Sequence, residues 1–184
     1  MKDDLYRHAR TARTVERWTR IAMLAVVVVA ALAATLCHEA ELGRSFARSI
    51  LQAASFIPAR RWALYASYGD EAAIYYFFVF PILPLAATWM LARHGFPLPA
   101  KLQQVRGIFL AIQTVIAVPL LAFVGLIILI GEHGSDMRGL KVGTQFGHLI
   151  FFGWVSFAAA GAAFGLCGLY LLAALGAMKR ASRE

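Results

Sequence analysis

The sequence predicts an all-α, polytopic membrane protein with four transmembrane helices and an additional amphipathic helix on the outer membrane surface. Two observations predict this class. Hydrophobic residues make up 60% of the 184 residues and charged residues only 15%, whereas soluble domains carry about 25% charged residues. Four apolar runs reach the length of about 20 residues that a membrane-crossing helix needs. No linker or internal repeat divides the chain, so we treat 1–184 as a single four-helix membrane domain.

The four apolar runs define the predicted transmembrane helices. These cover approximately residues 18–37, 72–91, 108–130 and 148–177. The last apolar run, 146–178, is longer than a bilayer requires, so we expect its helix to be tilted or to begin outside the hydrocarbon. The first run also resembles a secretory signal, with its arginine-rich front and the small residues "ALA" at 31–33. Its apolar stretch is long for a signal and the charged "HEAE" follows it directly, so we retain it as a transmembrane helix.

Residues 42–57 predict a helix lying along the outer leaflet. Its apolar residues recur at intervals of three or four, which places them in one stripe: Leu42, Phe46, Ile50, Ala53 and Ile57. Arg44, Arg48, Gln52 and Ser55 fall on the opposite face, and Pro58 ends the pattern. A helix with one apolar and one basic face is typical of a membrane interface.

The distribution of lysine and arginine predicts the orientation. Twelve lie on the side of the two termini and of the loop between the second and third spans: Lys2, Arg7, Arg10, Arg13, Arg17, Arg20, Arg93, Lys101, Arg106, Lys179, Arg180 and Arg183. Six lie on the other side: Arg44, Arg48, Arg60, Arg61, Arg138 and Lys141. The excess places both termini in the cytoplasm of a bacterial inner membrane and turns segments 42–71 and 131–147 outward. This arrangement also explains the net charge of +8 without a nucleic-acid partner.

Small residues predict how the spans pack, because helices in lipid associate by close approach of their backbones. Gly161 and Gly165 share one face of the fourth span, and Gly168 lies within one turn of it. We expect this face to pack within the same chain. Pro81 and Pro84 interrupt backbone hydrogen bonds in the second span and permit a kink there.

The sequence predicts no enzyme and no catalytic, cofactor or metal site. The spans contain essentially no charge, and Gln113, early in the third span, is expected to hydrogen-bond a neighbouring helix. No G-x-S-x-G motif, phosphate-binding glycine loop or C-x-x-C pair is present, and "CHEAE" at 37–41 is not H-E-x-x-H.

The histidines on the predicted outer side leave two alternatives open. A haem held between His38 and His148 is one, and zinc held by His38, His133 and a carboxylate is the other. None of these ligands has the short spacing of a specific metal motif, so we interpret the histidines as solvated at the interface. Cys37 and Cys167 are expected to lie at different membrane depths and not to form a disulfide.

The outward segment "GEHGSDMRGLKVGTQFG", 131–147, is the predicted partner-binding region. Its charged and polar candidates are Glu132, His133, Asp136, Arg138 and Lys141. Its five glycines favour a turn over the rigid scaffold that catalysis or tight metal ligation requires.

In length and plan the chain resembles the inner-membrane immunity proteins that protect bacteria from pore-forming toxins of the colicin A type. These also have four spans, both ends in the cytoplasm, a longer first outer loop and a basic C-terminal tail. The resemblance covers the whole chain as architecture and matches no residue motif, so no site is carried over. It implies a non-enzymatic protein that binds the membrane-inserted part of a toxin. An accessory subunit of a larger secretion, respiratory or envelope-biogenesis complex is the first alternative, and a haem-binding electron-transfer subunit is the second.

Overall fold

The structure, a computed structural model, describes residues 2–94, 107–131, 133–136 and 141–181. Within these ranges the regular structure is entirely helical, so the all-α prediction is confirmed. The helices are α1 (Lys2–Glu39), α2 (Glu41–Ala53), α3 (Ala59–Trp62), α4 (Gly69–Val79), α5 (Ile82–His94), α6 (Gly107–Ile130), α7 (Phe146–Phe152) and α8 (Val155–Ala181).

Four helical stretches are long and apolar enough to cross a membrane, as the sequence predicts. They are Arg17–Glu39, Gly69–Met90, Ile112–Ile130 and Phe146–Leu175. The second consists of α4 and α5, which are separated at Phe80 and Pro81, where Phe80 adopts an extended backbone. Proline has no N–H to continue the helical ladder, which accounts for a break at this position. The fourth consists of α7 and α8, separated at Gly153 and Trp154.

Two side chains compensate for the break between α7 and α8. The Tyr75 hydroxyl donates to the Ile150 carbonyl at 3.1 Å, and the Trp154 indole N–H donates to the Phe151 carbonyl at 2.8 Å. An unsatisfied carbonyl costs several kcal/mol in hydrocarbon, so these two bonds allow an apolar span to tolerate the interruption. Gly153 is required at the break, since a Cβ there would lie 2.9 Å from the Tyr75 ring.

The described chain divides into two compact units. Unit 1 comprises residues 1–82 and 134–154, and unit 2 comprises 83–133 and 155–184. Helix α4 forms the centre of unit 1, where it contacts α1, α2 and α3. Its side chains from Ala72 to Tyr76, together with Val79, are almost completely buried. Small residues of α1, among them Ala30 and Ala34, are also fully buried.

Helix α2 of unit 1 has three faces. One face is packed: Gly43 and Ala54 are half-buried, and Ala47 and Leu51 are buried. The second face carries the arginines and serines. The third is the predicted apolar stripe, and it stays uncovered, with Leu42 86% and Phe46 68% exposed. The helix ends at Ala53, so the predicted extension to residue 57 is wrong; Ala54–Ile57 is a turn.

Unit 2 is built on α6 and α8, which pack along their length, and on α5. Gly161 of α8 is buried against α5: a Cβ there would lie 2.5 Å from the Pro84 carbonyl oxygen and 2.8 Å from the Ala87 Cβ. The Thr88 hydroxyl lies 3.0 Å from the Gly161 carbonyl and can donate to it. Gly125 of α6 approaches the ring of Phe164 in a similar way. Close backbone approach at small residues therefore organises this unit.

Candidate functional site

The polar side chains of unit 1 form two hydrogen-bonded networks. The first joins the end of α1 to α2 and to the first turn of α4. The second closes the connecting turn, which we define as residues 133–136 and 141–145. The site was built from interactions that recur between these segments, because the described spans themselves hold little polar chemistry.

The first network surrounds the C-terminus of α1. The Arg44 guanidinium donates to the Cys37 and His38 carbonyls at 3.2 and 3.1 Å, which satisfies acceptors that the helix end leaves open. His38 Nδ1 lies 3.4 Å from the Glu71 carboxylate, a contact at the long limit of a hydrogen bond. Arg48 donates to Asp70 at 2.7 Å. Both acidic residues occupy the first turn of α4, where the helix dipole favours negative charge.

The second network is organised by Asp136. One of its carboxylate oxygens accepts the Gly143 and Thr144 backbone N–H groups at 2.9 and 3.2 Å. The other accepts the Thr144 hydroxyl at 2.8 Å. These hydrogen bonds, the threonine hydroxyl first, stabilise the ionised carboxylate and hold the pKa of Asp136 below its ordinary value of 3.8. Asp136 therefore closes the connecting turn on itself.

The connecting turn is also bound to the segment that precedes α4. The Ser67 N–H donates to the Gly143 carbonyl, and the Tyr68 hydroxyl donates to the Val142 carbonyl, both at 2.8 Å. A Cβ on Gly134 would lie 2.9 Å from the Ala66 nitrogen, and one on Gly143 would collide with the Gly134 carbonyl oxygen. The expectation that glycines loosen this segment does not hold for these two, because they permit close packing.

An aromatic contact joins the two networks. The Phe146 ring stacks on His38, with centroids 4.7 Å apart and planes at 18°. Tyr68 meets the same ring edge-on at 5.6 Å. Burial, together with the negative charge of Asp136, raises the pKa of Tyr68 to about 12, so this hydroxyl remains a hydrogen-bond donor at neutral pH.

The predicted partner-binding residues have different fates. Asp136 and Lys141 are exposed, and Asp136 has the structural role just described. Glu132 and Arg138 lie outside the described side chains. His133 is only 6% exposed and lies against Phe157, with ring centroids 4.8 Å apart. Burial lowers the pKa of His133 to about 4, so it is neutral at pH 7 and offers little surface to a partner.

The predicted packing residues lie in unit 2. Gly161 and Gly165 are buried and Gly168 is half-buried, with Gly161 against α5 as described above. The Gln113 side-chain oxygen is buried and has no hydrogen-bond partner among the described residues. The predicted bond from this oxygen to a neighbouring helix is therefore not found in the described part of the chain.

The geometry of His148 bears on the haem alternative. Its Nδ1 accepts the Lys141 backbone N–H at 3.0 Å, which places the proton of the neutral ring on Nε2. A metal at Nε2 would require that nitrogen to lose its proton and this hydrogen bond to break. His38 is stacked and paired with Glu71 instead of being directed at a second ligand. Among the described side chains, no three histidine, cysteine or acidic residues form a group suited to a metal ion.

Sequence reasoning missed Tyr68, Glu71, Phe146 and Thr144 as members of these networks. A usable signal existed for the aromatic pair, because Tyr68 and Phe146 both stand at the start of a span on the predicted outer side, where aromatic side chains favour the membrane boundary. Comparisons of the chain with protein-family models, with curated proteins and with solved structures found no match.

Proposed function

We propose that the protein is a multi-pass protein of a bacterial inner membrane, with both termini in the cytoplasm, that acts by contact with another membrane protein. The excess of lysine and arginine on the side of the termini supports this orientation. The four apolar helices support the membrane location. The best candidate partner is the membrane-inserted part of a pore-forming toxin, which makes the protein an immunity protein by the architectural resemblance given above.

The uncovered stripe of α2 supports its placement in the outer leaflet. This helix begins two residues after the first span ends at Glu39. One face already packs on unit 1, so the exposed Leu42 and Phe46 need another apolar environment. Acyl chains at the boundary of the bilayer supply one, while the arginine face remains in water.

The observation that carries the proposal is the order of the connecting turn. Asp136, Ser67 and Tyr68 hold it in one conformation through bonds to Val142, Gly143 and Thr144, while Ser135, Lys141 and Gln145 stay exposed. A surface that is ordered before binding loses less conformational entropy when a partner docks. The same segment would cost less to form as a flexible loop if its only task were to reverse the chain.

Protection of living cells tests the proposal. The full chain is produced in a bacterial host that is exposed to the pore-forming toxin encoded beside its gene, and survival and potassium efflux are measured. We expect the wild-type chain to prevent efflux and Lys141→Glu to weaken protection, because a reversed charge opposes an exposed contact. Lys141→Arg is the matched control and retains protection.

Two results would overturn the proposal. One is wild-type protein that is present in the membrane and gives no protection against the neighbouring toxin. The other is a growth or secretion defect on gene deletion in the absence of toxin, which would support the accessory-subunit alternative.

A further inference from the structure

The segment between α2 and α4 carries an exposed group of basic and apolar side chains, which we call the arginine corner: Phe56, Arg60, Arg61, Leu64 and Tyr65. Phe56 is 84% exposed, Leu64 62% and Tyr65 60%, and both arginines are exposed. Exposed apolar side chains of this size need a reason in a protein that buries its neighbours well.

The arginine corner is held firmly from behind. Helix α3 spans Ala59–Trp62, and both of these terminal residues are buried. Trp62 is 1% exposed and meets Phe80 edge-on, with ring centroids 5.1 Å apart. The two arginines lie between these anchors in the sequence. Their backbone is therefore fixed, and only their side chains must be ordered when a ligand binds.

The charge of the arginine corner is not balanced locally. Segment 40–68 contains four arginines and a single carboxylate, Glu41. Arg44 is committed to carbonyls at the end of α1, and Arg48 to Asp70. Among the described residues, Arg60 and Arg61 have no hydrogen bond or ion pair. Two adjacent guanidinium groups are thus available to an anion.

The surroundings of these arginines favour a lipid over an acidic protein. A guanidinium group pairs with the oxygens of a phosphate through two parallel hydrogen bonds. The exposed Phe56, Leu64 and Tyr65 flank the arginines in the sequence and match the boundary where headgroups meet acyl chains. The second span begins at Gly69, only eight residues after Arg61. This short connection keeps the corner close to the membrane surface at which the span starts.

We infer that Arg60 and Arg61 bind the phosphate of anionic phospholipid headgroups of the phosphatidylglycerol type. This inference rests on the proposed membrane orientation, which places the corner at the outer leaflet. It does not depend on the identity of any protein partner. Charge and apolar contact act together here: the arginines select the headgroup, and the flanking side chains reach towards the acyl chains.

Lipid selectivity of the full chain tests the inference. The purified protein is reconstituted into phosphatidylcholine bilayers, and the motion-restricted fraction of spin-labelled phosphatidylglycerol is compared with that of spin-labelled phosphatidylcholine. We expect wild-type protein to prefer phosphatidylglycerol and Arg60→Gln/Arg61→Gln to lose part of that preference, by up to roughly fivefold for each arginine. Arg60→Lys/Arg61→Lys keeps the charge but not the paired hydrogen bonds, so it should fall between the two.

Lys141→Gln is the matched control, because it removes an exposed cation of the same unit outside the corner. An equal loss of selectivity in Lys141→Gln would overturn the inference in favour of a general charge effect. An unchanged preference in the double glutamine variant would also overturn it, as would complete removal of the preference by inorganic phosphate, which would indicate an ion site. Selective capture of acidic peptides in place of the lipid would do the same. If the double variant does not fold, the single variants Arg60→Gln and Arg61→Gln replace it.

Failure of the proposed function gives a different result. A cysteine introduced at Ser55, which is exposed, reports the orientation through its labelling by a membrane-impermeant maleimide in intact cells. Labelling only after the cells are opened would overturn the orientation, whatever the lipid preference. Loss of toxin protection with lipid selectivity intact would overturn the immunity function and leave the lipid site standing.

Discussion

Unit 1 and unit 2 are stabilised by different kinds of interaction. Unit 1 combines a buried aromatic helix with two polar networks that tie the end of α1, the start of α4 and the connecting turn together. Unit 2 depends on close approach at glycines, with Gly161 against Pro84 and Gly125 against Phe164. Polar bonds can be replaced by bonds to water where a segment is wet, whereas a steric contact between backbones has no substitute. Single substitutions should therefore damage the glycine contacts of unit 2 more than the exposed polar contacts of unit 1.

The largest effect is expected at Gly161. In Gly161→Ala the new Cβ would lie 2.5 Å from the Pro84 carbonyl oxygen and 2.7 Å from its Cα. Both are backbone atoms and cannot rotate away, so we expect a loss of about 3 kcal/mol in the free energy of unfolding. Reversible denaturation in mixed micelles measures it. The control is Gly147→Ala, where nothing lies within 4 Å of the added Cβ; equal stability of the two variants would contradict the close contact.

His133 should make the stability of unit 2 depend on pH. Its pKa falls from 6.5 to about 4 on burial, so between these values the unfolded chain binds a proton that the folded chain does not. The stabilisation from keeping this ring neutral is complete above pH 6.5 and decreases as the pH falls towards 4. We expect a loss of about 2 kcal/mol between pH 7 and pH 4.5.

The variant His133→Gln isolates this contribution, because glutamine does not titrate. Its denaturation curves should change less between the two pH values than those of the wild-type chain. If both proteins lose the same stability, His133 is not the group responsible.

Asp136 should control the connecting turn with little effect on the rest of the fold. The depressed pKa means that the turn is stabilised above the ordinary value of 3.8 and that this stabilisation is lost as the pH falls below it. In Asp136→Ala the Gly143 and Thr144 amides should exchange hydrogen with solvent much faster than in the wild-type chain at pH 7. Lys141→Gln should leave these rates unchanged, and protected amides in Asp136→Ala would show that the turn is held without the carboxylate.

The smallest effect is expected for the Arg48–Asp70 pair. Although it is short at 2.7 Å, the side chains are 64% and 31% exposed, and exposed ion pairs contribute little. Arg48→Gln should therefore unfold like the wild-type chain. By contrast, Tyr68→Phe should cost about 1 kcal/mol, because it leaves the Val142 carbonyl without a hydrogen bond in a partly buried position. Measurable destabilisation by Arg48→Gln alone would indicate that the first network acts as a unit.

Part of the candidate site could be read from the sequence and part could not. Gly161 was predicted as a packing residue from its spacing to Gly165, because four residues make just over one helical turn and one face follows from local spacing. His133 was interpreted as a surface residue, since nothing near it in the chain shows that Phe157, more than 20 positions away, covers its ring. The aromatic contact of His38, Phe146 and Tyr68 likewise joins three distant segments.

The sequence by itself determined the helical class and the number of helices long enough to cross a membrane, because both depend on the length and composition of continuous apolar runs. It also showed that α2 would have an apolar stripe. Only the tertiary structure decided that a second, separate face of α2 packs and that Gly134 and Gly143 hold the turn tightly. The physical reason is that period and composition act locally, whereas close packing and hydrogen bonding depend on which distant residues the fold brings within a few ångströms.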